Sequence, residues 1–190
     1  MPLFRSAAVC AASLLLLFAP LRATTIPGTT FEEMTDRSEV IAAGRVTRSW
    51  TAWDDSHKYI WTHYEIKLSG TYKGRPDSSL VVSEPGGVVG DRGMMIAGVS
   101  GYAVGEQVAV FLERMPNGYL RTTGWGQGKF DIDPKGRIHG TAGPNLEIAP
   151  ASGTLRRGDT SIRSLDGIDL QTLRALISAR VGAQTKAGVK

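Results

Sequence analysis

Residues 58–68 read KYIWTHYEIKL, and this stretch decides the fold. Its apolar side chains recur at every second position, which is typical of a β-strand that buries one face. The positions on the face predicted to be buried are Ile60, Tyr64, Ile66 and Leu68. The opposite face carries Tyr59, Trp61, His63, Glu65 and Lys67.

A second strand precedes this one, at residues 40–50. Its predicted inward positions are Val40, Ala42, Gly44 and Val46. The polar segment 53–57, with the sequence WDDSH, has the composition of a turn. Two alternating strands across a short polar connection predict an antiparallel hairpin.

Further short strands follow at close spacing. The pattern predicts them at residues 80–83, 107–113, 119–124, 129–132 and 137–141. The Asn-Gly pair at 117–118 suits the positive φ angles of a hairpin turn, and DPKG at 133–136 suits a type I turn. Residues 86–105 contain seven glycines with apolar residues between them, which predicts a long excursion shaped as an open hairpin.

Two helices flank the strands. Thr30 and Glu33 form a capping box that opens a short helix ending near residue 37. Residues 169–180 predict a second helix that ends at Gly182. Its predicted apolar stripe consists of Leu170, Leu173, Leu176 and Ile177.

These elements predict a mainly β protein, a small and partly open OB-like antiparallel β-barrel with a short N-terminal helix and a C-terminal helix. Gly44 and Gly70 fall where a strand that wraps around a small barrel has to bend. We expect a barrel domain at 24–141, a Gly/Pro/Ser-rich loop at 142–167, a helix packed on the barrel at 168–182 and a frayed tail at 183–190.

The segment 1–23 predicts an export signal. Arg5 precedes an apolar run over residues 7–19, and a small residue, Ala23, closes the segment. The run is shorter than the about 20 residues that a membrane-spanning helix needs. We expect a secreted or periplasmic protein without a membrane span, whose mature chain starts near Thr24. Cys10 would leave with the signal, so the mature chain would have no thiol and no disulfide.

The charge argues against a nucleic-acid partner. The chain has 22 basic and 18 acidic residues, for a net charge of +4, and two of the basic residues, Arg5 and Arg22, lie in the predicted signal. The remainder is nearly neutral, whereas a nucleic-acid binder needs a clustered basic face.

A succession of short motifs spans residues 31–132. The motifs are FEEM at 31–34, SEVIAAGRV at 38–46, YKG at 72–74, PGG at 85–87, GVSGY at 98–102, VGE at 104–106 and VAVFLE at 108–113. Together they resemble an uncharacterised domain of secreted bacterial proteins, sometimes found ahead of matrixin-like metalloprotease modules. The succession is more distantly similar to the barrel of netrins and tissue inhibitors of metalloproteinases, which implies an OB fold.

The resemblance does not carry the inhibitory mechanism with it. Inhibitors of that class chelate the zinc of their target with an N-terminal cysteine, whereas the predicted mature start here is TTIP at 24–27. The sequence also contains no HExxH motif, so it has no zincin catalytic module of its own.

Four patterns superficially suggest chemistry, and each has a simpler interpretation. GWGQGK at 124–129 lacks the Ser/Thr and the helix of a phosphate loop. GVSGY at 98–102 lacks the last glycine of a nucleophile elbow. In the loop at 131–136, Lys135 stands where calcium needs an oxygen. His57 and His63 lie about 20 Å apart along one strand, too far to share a metal. We therefore predict no catalytic residue, no metal site and no cofactor.

Aromatic side chains are the remaining candidates for a binding surface. Tyr59, Trp61 and His63 share the outer face of one strand, and Trp125 falls near the end of another. Aromatic faces suit sugars, peptides and cations. If the C-terminal helix or the long Gly-rich loop covers this face, the rings are core; if neither does, they form a binding platform.

The sequence thus favours a non-enzymatic exported binding module for a protein, peptide or glycan. An alternative is a secreted protease inhibitor that inserts its N-terminal segment or its Gly-rich loop into a target cleft. A secreted hydrolase is a third possibility, which would require distant residues to converge in space.

Overall fold

The computed structural model describes residues 24–141, 146–149 and 162–187. These described residues are mainly β and include two α-helices, as the sequence predicts. The strands are β1 (Thr24–Pro27), β2 (Val40–Trp53), β3 (Ile60–Lys73), β4 (Ser79–Pro85), β5 (Gly87–Val89), β6 (Arg92–Met94), β7 (Gln107–Arg114), β8 (Leu120–Thr122), β9 (Lys129–Ile132), β10 (Ile138–Gly140) and β11 (Leu146–Ala149). The helices are α1 (Phe31–Arg37) and α2 (Leu170–Ala187).

Five of the strands close into a ring. They pair in the order β7-β2-β3-β4-β8, and β8 pairs again with β7. Every junction in the ring is antiparallel except that of β4 with β8, which is parallel and consists of the single pair Val82 and Leu120. We call this junction the seam, because it is where the ring is least closed. Strands β9 and β10 extend the sheet beyond β7.

The hairpin of β2 and β3 forms nearly half of the ring, as residues 40–68 predict. Its register shifts at three places, between Ile41 and Ala42, between Ala43 and Gly44, and between Val46 and Arg48. Gly44 is needed at the bend, since a Cβ there would lie 2.4 Å from the carbonyl oxygen of Lys67. Strand β3 extends beyond the predicted stretch 58–68, because it continues through Gly70 and ends at Lys73.

The ring has apolar layers on both sides. The inner layer contains the predicted inward residues of β2, β3 and β7, which are Val40, Ala42, Val46, Tyr64, Ile66, Val108, Val110 and Leu112. The outer layer joins β2, β7 and β9 to both helices through Ile41, Phe111, Phe130, Met34, Leu173 and Ile177. Strand β7 and the first part of β2, residues 40–44, are therefore buried on both faces, which explains their nearly continuous apolar sequences.

The predicted helices are present; α1 ends at Arg37 as expected, whereas α2 extends further than predicted. The side chain of Thr30 accepts a hydrogen bond from the Glu33 N–H at 3.1 Å, as a helix N-cap does. Helix α2 runs through Gly182 to Ala187, so the predicted stop and the start of the frayed tail are wrong. Leu173 and Ile177 are buried, whereas Leu176 is 39% exposed, because the buried stripe runs through positions four residues apart.

Two described parts of the predicted loop at 142–167 form regular structure. Strand β11 pairs in parallel with β1, and a 3-10 turn at Ile162–Leu165 buries Ile162 and Leu165 in the outer layer. Two well-placed apolar side chains are enough to anchor a segment of otherwise polar composition. The rest of that region, the predicted signal segment 1–23 and residues 188–190 lie outside the described residues.

The Gly-rich excursion forms the predicted hairpin. Strands β5 and β6 pair antiparallel across the turn at 90–91. Gly87 lets β5 cross closely over the β2–β3 hairpin, since a Cβ there would lie 2.6 Å from Thr62 Oγ1 and 2.7 Å from Thr51 Cγ2.

Within the described residues, neither helix combines the length and the apolarity that crossing a membrane requires.

Candidate functional site

Four aromatic rings cluster on the outer face of β2 and β3. Trp50 pairs with His63 across the two strands, and their rings stack at 5.2 Å with an interplanar angle of 27°. Tyr119, in the turn before β8, contacts His63 at 5.5 Å and Trp61 at 5.0 Å, in both cases edge to face. We call Trp50, Trp61, His63 and Tyr119 the aromatic face.

His63 is the centre of this cluster and is 8% exposed. Its Nδ1 shares a hydrogen bond of 2.8 Å with Ser83 Oγ on β4. Burial lowers the pKa of His63, so the imidazole is neutral near pH 7. The bond to Ser83 fixes the plane of the ring against Trp50 and Tyr119.

The contact between His63 and Ser83 also bears on catalysis. A serine nucleophile needs a base that is itself oriented by a third group, most often a carboxylate. Among the described residues, no carboxylate hydrogen-bonds to His63, and Ser83 is 3% exposed. The geometry suits a structural histidine better than a catalytic dyad.

The turn that carries Tyr119 is held by an ion pair. Arg114 binds the Glu39 carboxylate through two nitrogens, at 2.6 Å from Nη2 and 2.9 Å from Nε. Arg114 Nη1 also donates to the carbonyl oxygen of Gly118 at 2.8 Å. The hydrogen bonds from Arg114 lower the pKa of Glu39. This arrangement connects the start of β2 to the turn and thereby positions Tyr119 over His63.

A groove of about 550 Å³ begins beside the aromatic face and follows the seam. One wall is β4, with Leu80, Val81 and Ser83, and the other is the turn before β8, with Tyr119. Val81 is 39% exposed in this groove. The volume is within the range of about 300–1,000 Å³ found for ligand pockets.

The charges around the aromatic face are mixed and largely paired. Arg48 lies over the Trp50 ring at 4.3 Å and is 3.7 Å from a carboxylate oxygen of Glu65. Glu39 and Arg114 neutralise each other at the groove. The site therefore presents aromatic and neutral polar groups rather than a field of one sign.

Tyr59 does not join the aromatic face. It is 55% exposed and lies in the turn between β2 and β3. Asp54 shapes this turn by accepting hydrogen bonds from the N–H groups of Lys58 at 2.8 Å and Tyr59 at 3.0 Å. These bonds lower the pKa of Asp54.

Trp125 is also separate from the cluster. It lies in the 3-10 turn Trp125–Gly128 with a φ of 60°, is 38% exposed and packs against Arg121 at 5.0 Å. Among the described residues, its ring contacts none of the aromatic face. The same turn leads into β9, so GWGQGK lacks the helix of a phosphate loop.

The two elements considered as covers lie mostly elsewhere. Helix α2 packs on the outer layer, and Tyr72 at the far end of β3 contacts that layer. The β5–β6 hairpin crosses the opposite face of the β2–β3 hairpin, where Thr51 Oγ1 donates to the carbonyl oxygen of Val88 at 2.6 Å. Trp50 and Trp61 consequently remain partly exposed.

Sequence reasoning missed Tyr119 and Ser83. Tyr119 follows the Asn-Gly turn directly, and the pattern predicts it as the first residue of the next strand. Spacing along the sequence does not indicate that it lies against His63. Within the described residues, no group of three or more His, Cys, Asp or Glu side chains is placed to hold a metal ion.

Comparison with models of known protein families gives no match, and comparison with curated proteins finds no similar sequence.

Proposed function

We propose that the protein is a non-enzymatic, exported binding module whose ligand surface is the aromatic face and the adjoining groove. The observation that carries the proposal is the cluster itself. His63 is buried, bonded to Ser83 and enclosed by Trp50 and Tyr119, so that the rings are held in place before any ligand binds. Preorganised aromatic surfaces lose little conformational entropy on binding.

We further propose that the ring is an OB-type barrel, related to the secreted domain that the sequence resembles. OB folds are five-stranded, partly open barrels that bind ligands on their second and third strands and on the loops after the first and fourth. In this ring the second and third strands are β3 and β4, and the loop after the fourth carries Tyr119. The aromatic face thus occupies the position that this fold uses for ligands.

The ligand is a protein, a peptide or a glycan. Partly exposed tryptophan and tyrosine rings suit sugar faces and apolar peptide side chains. Because the nearby charges are paired, the surface offers little attraction to a polyanion, which argues against nucleic acid.

Binding to glycan and peptide arrays tests the proposal. Trp61→Ala and Tyr119→Ala should each lower the signal of any captured ligand at least tenfold, since both rings belong to the aromatic face and Tyr119 also lines the groove. Trp125→Ala is the matched control, because it removes an exposed tryptophan outside the cluster. Equal binding by the folded Trp61→Ala, Tyr119→Ala and wild-type proteins would contradict the proposed surface.

Export is tested separately, by N-terminal sequencing of the protein recovered from a bacterial host. We expect a start within a few residues of Thr24. Recovery of the chain with Met1 retained would contradict the predicted signal.

One observation favours the alternative of a protease inhibitor. Met95, directly after β6 in the Gly-rich excursion, is 97% exposed. An apolar side chain held out in this way could enter the specificity pocket of a peptidase. Incubation with a panel of secreted peptidases, comparing wild type with Met95→Asp, would show inhibition that depends on this residue if the alternative holds.

A further inference from the structure

A second pocket, of about 490 Å³, lies under the Gly-rich hairpin. Its lining includes Tyr64 and Glu84 from the barrel, and Met94, Ile96, Val99 and Ser100 from the excursion. Tyr64 lies on the face of β3 opposite to His63. This pocket is therefore separated from the aromatic face by the sheet itself.

Ser100 gives the pocket an unsatisfied hydrogen-bonding group. It is 5% exposed, and its hydroxyl has no hydrogen-bond partner in the part of the chain that the structure describes. Buried polar atoms are nearly always paired, because an unpaired one loses its hydrogen bonds to water without replacement. A ligand that hydrogen-bonds to Ser100 would remove this deficit.

Glu84 restricts the charge of such a ligand. Its carboxylate is 1% exposed and already accepts hydrogen bonds from the Thr122 N–H at 2.7 Å and from Arg121 at 3.2 Å. A second anion nearby would be repelled, whereas a cation is not needed because Arg121 already provides the counter-charge. The pocket therefore suits a neutral ligand.

The remaining lining is mainly apolar and adaptable. Met94, Ile96 and Val99 form the excursion side of the pocket, and Val88 and Met95, which are 63% and 97% exposed, extend the apolar surface around it. Methionine side chains fill irregular spaces and rearrange readily around different partners. Met94, Ile96 and Val99 would contact an aliphatic group inside the pocket. Val88 and Met95 would contact the ligand's main chain outside it.

We propose that this pocket binds an aliphatic residue of a peptide, with its side chain among Met94, Ile96 and Val99 and a peptide group hydrogen-bonded to the hydroxyl of Ser100. This site is distinct from the aromatic face and does not depend on the function proposed for it. It would let the module hold a protein partner from two sides of one strand.

The methionine methyl groups report directly on this site. In protein labelled with ¹³C at the methionine methyls, N-acetyl-leucine N-methylamide should shift the signals of Met94 and Met95 in a saturable way at millimolar concentration. Met34, which lies in α1 and is buried in the outer layer, and Met115, after β7, should not shift. The anionic probe N-acetyl-aspartate N-methylamide should leave all four signals unchanged.

Two serine variants separate binding from folding. Ser100→Ala should weaken the leucine probe about three- to tenfold, the effect of one lost hydrogen bond, without lowering the unfolding midpoint. The control Ser38→Ala removes a buried hydroxyl that donates to the Met34 carbonyl at 2.7 Å. It should lower the midpoint and leave probe binding unchanged. Absence of shifts at Met94 and Met95, or equal affinity in Ser100→Ala, would overturn the proposal.

Discussion

The outer faces of β7 and β4 differ, although both strands belong to the same ring. On β7, Ala109 and Phe111 are fully buried under the helical layer. On β4, Val81 is partly exposed in the groove, and Ser83 is buried only because it supports His63. One half of the outer wall of the ring is therefore covered by helices, and the other half, where we propose the ligand surface, is not.

The packing of the side chains also differs between the covered and the uncovered half of the ring. The covered half has apolar residues outward, including the rings of Phe111 and Phe130, and the ion pair Asp36–Arg180 connects α1 to α2 at the border of the layer. The uncovered half has rings that contact one another instead of a second layer. Substitutions in the two halves should therefore have effects of different size and kind.

The largest effect is expected on the covered half. Phe111→Ala removes a fully buried ring that contacts Phe130 at 5.9 Å and should lower the free energy of unfolding by about 3–5 kcal/mol. Val81→Ala on the uncovered half should change it by no more than about 0.5 kcal/mol. Urea denaturation measures both, and similar losses would show that the two halves do not differ.

The interior of the ring should respond almost as strongly. Ile66 is fully buried on the face of β3 opposite to His63, so Ile66→Ala should cost about 2–5 kcal/mol. Its exposed neighbour Lys67 serves as the control, and Lys67→Ala should be nearly neutral. An unchanged denaturant midpoint in Ile66→Ala would show that the two faces of β3 have been assigned the wrong way round.

A smaller loss is expected where the uncovered half is supported. Ser83→Ala leaves the buried Nδ1 of His63 without its partner and should lower the free energy of unfolding by about 1–3 kcal/mol. Ser79→Ala, an exposed position on the same strand, is the control. A stability equal to that of wild type would mean that His63 finds water or another partner there.

The smallest effect concerns the ion pair at the groove. Arg114 lowers the pKa of Glu39 below its ordinary value of 4.5, so the stabilisation is complete above that value and is lost as the pH falls through the folded pKa. Both side chains are about half exposed, so we expect only about 0.2–1 kcal/mol. The measurement compares the free energy of unfolding at pH 7 with that at pH 3. Arg114→Gln should lose less of this free energy on acidification than wild type, by about the same amount.

Two controls accompany this measurement. Arg75→Gln, at an exposed arginine that lines the same groove, should keep the acid loss of wild type. High salt should reduce the difference between wild type and Arg114→Gln, because exposed charges are screened. If Arg114→Gln loses as much stability at low pH as wild type does, the loss is due to the protonation of other carboxylates.

Many of the strands could be predicted from the sequence, because period-2 patterns identify strands and their faces without reference to the rest of the chain. The alternation at 58–68 correctly placed Ile60, Tyr64 and Ile66 inside and Trp61 and His63 outside. The end of α2 could not be predicted in the same way. Gly182 is compatible with either a stop or a continuing helix, and the preceding turns, anchored by Leu173 and Ile177, decide between them.

The candidate site was predicted only in part. Trp61 and His63 share a strand, so their common face follows from spacing alone. Tyr119 and Ser83 come from other strands, and their approach to His63 depends on closure of the ring. The sequence groups Tyr59 and Trp125 with Trp61 and His63 only because of their residue type. The structure places Tyr59 in the turn between β2 and β3 and Trp125 beside Arg121.

By itself, the sequence determined the strands, their inward and outward faces and the turns between them, because these depend on side-chain periodicity and on residues such as Asn117 and Gly118 that favour one backbone conformation. Only the tertiary structure decided which outward face is covered. That choice depends on where α2 docks and on how β4 meets β8, and both are contacts between segments far apart in the chain. Local sequence patterns do not indicate such contacts, so the partners of His63 can be identified only from the folded structure.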